Sequence, residues 1–180
     1  METVARPTGV TCLAADGGVP ILDGREYLEI KIMSQAALDS AKNALIEFMN
    51  EMNAWEKRAY PDYSKAIASG QGWDDAVAAA REGLAAIYEK FLTKKERKTG
   101  RLAGPHVSQF PEYDSKLEVI ESIECVRKGK FLVTTKKQDP NMPNYFTAHR
   151  YKILEKGGQY LIDVKESFSN YKEKWENKVL

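Results

Sequence analysis

Between Lys116 and Phe168 the chain alternates apolar and polar residues in four runs, Lys116 to Val126, Lys130 to Lys136, Tyr145 to Leu154 and Gln159 to Phe168. Alternation of this kind sends successive side chains to opposite faces of a strand. Arg127-Lys128-Gly129 separates the first pair and Glu155-Lys156-Gly157-Gly158 the last. Glycine tolerates the positive φ of a tight turn, so both pairs read as hairpins. Pro140 and Pro143, among Asp139, Asn141 and Asn144, impose a longer connection in the middle. A chain punctuated in this way builds an antiparallel sheet.

The faces are uneven. In the first run Leu117, Val119, Ile123 and Cys125 share one side with Glu121, while Ile120 and Val126 share the other with Glu118, Ser122 and Glu124. In the third, Tyr145, Thr147, His149, Tyr151 and Ile153 oppose Phe146, Ala148, Arg150, Lys152 and Leu154. In the fourth, Tyr160, Ile162 and Val164 alternate with Leu161, Asp163 and Lys165. One more apolar and one mixed face is the pattern of a sheet covered by helices on one side only.

The covering helices precede the strands. Leu38, Ala41, Leu45, Phe48, Met49, Met52 and Trp55 recur at three and four residues, the apolar stripe of a long amphipathic helix. Ser34 is placed to cap it, Met33 and Leu38 to staple the cap, and Pro61 to end or break it. Trp73, Val77, Ala80, Leu84, Ile87, Tyr88 and Phe91 mark a second helix. Gly70-Gln71-Gly72 before it lacks both a third glycine and a preceding strand, so it reads as a helix break and not as a phosphate loop. The basic tail, Lys90, Lys94, Lys95, Arg97, Lys98 and Arg101, reads as a solvated helix end stopped at Gly100. Glu26 to Ile32 also alternates and predicts an edge strand. Residues 1–33 then form an amino-terminal extension and 34–180 one α+β domain, with long helices packed on a curved antiparallel sheet.

Lys and Arg number 27 against 26 Asp and Glu, a formal net charge of +1, which argues against bulk attraction to nucleic acid or an anionic membrane. No apolar run approaches the roughly 20 residues of a membrane helix. The first ten residues lack a signal-peptide core. Cys12 and Cys125 stand far apart in no Cys-x-x-Cys pattern. These features predict a cytoplasmic protein with reduced thiols.

The order helix, short helix (one or two turns over Asp62 to Ser69), helix, then a meander ending in Tyr151 to Asp163, resembles the nuclear transport factor 2 fold, a cone formed by a curved sheet and packed helices. Phe48-Met49-Asn50-Glu51-Met52-Asn53-Ala54-Trp55-Glu56, within Phe48 to Tyr60, is similar to bacterial immunity proteins of this fold, which neutralise polymorphic toxins. The resemblance runs from about Ser34 to the carboxyl end. It implies a non-catalytic protein whose partner is a cognate toxin domain. The chain itself is expected to be a monomer or homodimer.

Two chemistries compete for the sheet. The only histidines, His106 and His149, lie outside metal-ligand spacing of another His or Cys, so neither a metal nor a cofactor is expected. His149 with Tyr145, Tyr151 and Asp163 is the best acid/base set, and it fits the alternative of a dehydratase, isomerase or small-molecule binder using the cone pocket. Histidine and tyrosine on a mixed sheet face more often pack at the core edge or meet solvent. A protein interface would instead use Tyr145, His149 and Tyr151 beside Glu118, Glu121 and Glu124. Glu112, Asp114, Glu118, Glu121 and Glu124 stand against Lys116 alone, a local acidic bias suited to a basic toxin site.

Overall fold

A computed structural model of the chain describes residues 24–95, 100–102 and 104–180, with side chains from residue 35 onward. Helix α1 (Gly24–Ser69) and helix α2 (Trp73–Phe91) are followed by β1 (Glu118–Arg127), β2 (Lys130–Gln138), β3 (Phe146–Lys156), β4 (Gln159–Ser169) and β5 (Lys174–Lys178). The strands form one antiparallel sheet in sequence order, β1-β2-β3-β4-β5. Helix α1 packs along α2 and against β1, β2 and β4. Gly129, Gly157 and Gly158 turn the two predicted hairpins at φ 68°, 58° and 79°, in the left-handed region where a side chain would be strained.

The helix stripe folds as its period demands. Ala41, Leu45, Phe48, Met49, Met52 and Trp55 are all buried, and so are Ala80, Leu84, Ile87, Tyr88 and Phe91 of α2. They meet Phe131, Val133, Tyr151, Ile153 and Ile162 from the sheet. Phe48 packs edge-on to Phe91 at 6.0 Å and to Tyr113 at 5.1 Å. The two helices touch where Trp55 Nε1 donates to Ala80 O at 3.0 Å. Gly83 makes room there, since a Cβ on it would lie 3.1 Å from the indole.

Four expectations need correction. Glu26 to Ile32 belong to α1 and are not an edge strand, and Ser34 lies inside the helix. No glycine or proline interrupts residues 25–60, and extending a helix is easier than nucleating a new element. Pro61 also sits within α1. Proline inside a helix costs about 3 kcal/mol, but here it is exposed, and the turns beyond it are anchored by buried Tyr63 and Ala66. The Tyr63 hydroxyl donates to Pro105 O at 2.7 Å and its ring stands 5.1 Å from Trp73. A fifth strand, β5, was not foreseen. Finally, Arg101 is no solvated helix end but a buried ion-pair partner.

Of three register irregularities, the third lying between Cys125 and Arg127 at the β1–β2 turn, two shift side-chain parity within the strands. The β1–β2 register skips Glu121, so Ile120 and Ile123 both turn toward the core while Val119 is exposed. The β3–β4 register skips Asp163, which sends Lys165 inward with Ile162 and leaves Val164 on the outer face. Extra residues of this kind are β-bulges. Residues 1–23, Arg97 and Lys98 lie outside the described residues. The expectation of reduced thiols also fails, at Cys125, which is disulfide-bonded.

Candidate functional site

Three of the six interface candidates meet beneath the helices. Thr135 pairs with His149 across β2 and β3, and Val133 with Tyr151, so Thr135, His149 and Tyr151 share the inner face. Glu118 reaches them from the start of β1. Its Oε1 accepts hydrogen bonds from Thr135 Oγ1 at 2.6 Å and Tyr151 Oη at 2.9 Å, and lies 3.0 Å from His149 Nδ1. Burial disfavours the Glu118 charge, but the His149 contact and the nearby Lys165 ammonium outweigh it and hold the carboxyl at about 2.

Beside this cluster runs a chain of ion pairs. Lys165, buried opposite Tyr151, places Nζ 2.7 Å from Glu112 Oε1 and 4.4 Å from the Tyr113 ring centroid. Arg101 Nη2 donates to Glu56 Oε1 and to His106 O, both at 2.6 Å, while Nη1 lies 3.6 Å from Glu112 Oε2. Glu56 Oε2 accepts from the Glu112 N–H at 2.6 Å, and Lys137 Nζ donates to Glu112 O. Burial raises the Glu56 carboxyl despite Arg101. For Glu112 burial acts the same way, but Lys165 prevails and the carboxyl falls below its ordinary range. Burial pushes the phenols of Tyr113 and Tyr151 well up. Three buried atoms, Glu118 Oε2, Tyr113 Oη and Arg101 Nη1, have no hydrogen-bond partner among the described residues.

Large side chains occupy this interior. Tyr113 and Tyr151, both with no exposed surface, fill it. Asp163 is not part of it: its Oδ1 accepts from Thr93 Oγ1 at 2.6 Å and lies 3.0 Å from Lys95 Nζ. The set His149, Tyr151 and Asp163 is therefore not assembled, and Glu118 stands where that reading put Asp163. The local acidic bias is engaged within the chain only in part. Glu112 and Glu118 have internal cations, and Asp114 Oδ1 accepts from the Lys116 N–H at 2.9 Å.

Glu121, Glu124 and Tyr145 are exposed, so the six candidates do not share one surface. The outer sheet face carries further groups, among them Trp175 on the unpredicted β5. Phe168 stacks edge-on with Trp175 at 5.4 Å, and the Arg150 guanidinium lies 4.3 Å over Trp175. Arg150 Nε and Lys152 Nζ bind the two oxygens of Glu166 at 2.8 and 2.7 Å. Lys136 Nζ sits 4.5 Å over the Phe146 ring. A shallow groove of about 220 Å³ runs between Glu121, Lys136, Tyr145, Phe146 and Phe168. Among the described residues no three His, Cys, Asp or Glu side chains are arranged to hold a metal, and no helix is long and apolar enough to cross a membrane.

Two helices laid on one face of a five-stranded meander, with the interior closed by aromatic packing and ion pairs, define a cone of the nuclear transport factor 2 class. A family model described as NTF2 fold immunity protein matches residues 40–179. Immunity protein RhsIA of Dickeya dadantii (strain 3937) is 36% identical over 138 residues, which are 77% of this chain and 94% of that protein. The chain belongs to the NTF2 fold immunity protein family. No solved structure gives a significant match.

Proposed function

We propose that this chain acts inside a bacterial cell by binding a cognate toxin domain and blocking it, without catalysis. The observation that carries this reading is the family match over residues 40–179, which takes in the buried stripe of α1, all of α2 and all five strands. The filled interior supports it, because a dehydratase or isomerase needs a cavity in which acid and base face a substrate. Here one Glu118 oxygen is taken up by Thr135, Tyr151 and His149, and the third member of the expected set lies elsewhere. The likeness to Immunity protein RhsIA supports the same reading. No metal or cofactor enters this activity. The acting unit is proposed as a monomer or homodimer.

The test is co-expression with the toxin domain encoded beside this gene. Cells carrying the pair should grow, and the two chains should co-purify at a fixed stoichiometry. Growth arrest despite abundant folded protein would remove the neutralising reading and return attention to the cone interior.

A further inference from the structure

We propose that the toxin docks on the outer face of the sheet, around Phe146, Phe168 and Trp175, through an apolar patch flanked by carboxylates. This rests on the neutralising reading above and adds where the contact lies and what the partner must present.

The inner face is unavailable, because Glu118, His149 and Tyr151 are buried beneath the helices. The outer face has no element laid over it among the described residues, and it exposes aromatic surface: Tyr145 is 50% and Phe146 42% accessible. Aromatic side chains with an arginine among them are the composition of binding hot spots. Arg150 is already held on Trp175 and tied to Glu166, so little freedom is lost when a partner arrives.

Charge identifies the partner. Arg150 and Lys152 share the single Glu166 carboxylate, whose side chain is only 9% exposed, leaving one positive charge in excess at that triad. Lys136 adds another, since it sits on Phe146 and forms no ion pair among the described residues. The acids Glu121 and Glu124 stand on β1, at one margin. The face is thus positive across β2 to β4 and negative along its β1 edge. A toxin surface with carboxylates opposite Lys136 and the Arg150–Lys152 pair, and a cation toward β1, complements it in one orientation only. Cations beside aromatics also suit single-stranded nucleic acid, but the acidic margin and a net charge of only +1 favour a protein.

The experiment measures binding of the purified toxin domain to wild-type protein, to Lys136→Glu, to the Tyr145→Ala/Phe146→Ala double variant, and to Lys57→Glu on the exposed side of α1 as control. The altered residues are exposed, so melting temperatures should match wild type. Lys136→Glu should slow association about tenfold at low salt and reduce its salt dependence. The double variant should weaken affinity at least about tenfold by faster dissociation. The control should bind as wild type. Face variants that bind normally while Lys57→Glu fails would move docking to the helices and overturn the proposal with neutralisation intact. Two further results would also overturn it while toxin binding persists. One is loss of a short single-stranded oligonucleotide by the same variants, and the other is loss of self-association in sedimentation. Absence of any wild-type binding would instead overturn the neutralising reading itself.

Discussion

Glu118 on β1 reaches across β2 to His149 on β3, with 3.0 Å between Oε1 and Nδ1, and Thr135 on the intervening strand donates to the same oxygen. Three strands are thereby fastened at one buried carboxylate. Its worth is expressed in pH. The folded carboxyl ionises at about 2 against an ordinary 4.5. A depressed carboxylate contributes stability that is complete above the unfolded value and is lost as pH falls through the folded one. The loss should fall between about pH 4.5 and 2, and it amounts to roughly 3 kcal/mol. Glu112 and Glu166 are lowered too and act in the same direction, while raised Glu56 opposes them. Urea midpoints measured across this range should fall for the wild type and flatten for Glu118→Gln.

The two buried tyrosines should respond oppositely to loss of a hydroxyl. Tyr151 Oη donates to the Glu118 carboxylate, and hydrogen bonds to charged groups contribute about 1.5–3 kcal/mol. Tyr113 Oη has no partner among the described residues. Equilibrium unfolding should show Tyr151→Phe destabilised by about 2 kcal/mol and Tyr113→Phe unchanged or more stable. Equal losses in both would mean that the Tyr113 hydroxyl is bonded.

Lys165→Met removes the ammonium from Glu112 while keeping the side chain's length. Lys165 is buried, but the Glu112 side chain is 42% exposed, so the cost is well below that of a fully buried pair, about 2 kcal/mol. Adding Glu112→Gln should return part of it. A double-mutant cycle checks the coupling, and strictly additive losses would show that the pair is not energetically joined.

Gly83→Val tests the contact between the helices. Its Cβ would meet the Trp55 indole at 3.1 Å, and the added methyls would force α2 from α1 or turn the indole from Ala80 O. Overpacking of this kind costs about 1–3 kcal/mol, read as a lowered melting temperature. A melting temperature at or above wild type would mean that the helices separate freely.

Much of the fold was legible locally. The stripe from Leu38 to Trp55 and its counterpart from Trp73 to Phe91 were readable because burial on a helix repeats every three or four residues. The four strands and both hairpins were readable because alternation and glycine turns act over a few neighbours. The candidate site was legible in its residue types only. Glu118, His149 and Tyr151 were singled out as a surface, and His149 and Tyr151 alternatively as a pocket set with Asp163, because nothing in a single strand says which of its faces the helices will cover.

What the sequence by itself determined was the set of elements and their amphipathic faces, since those follow from local spacing. The tertiary structure decided which charges were buried. Bulges at Glu121 and Asp163 reverse side-chain parity partway along β1 and β4, and only pairing with β2 and β3 creates them. Lys165 is turned inward by the second bulge. It meets Glu112 from a connecting segment 53 residues earlier in the chain, and Arg101 joins Glu56 across 45 residues. Pairs so distant leave no periodic trace, because the attraction that holds them exists only once the sheet and helices have expelled water between them.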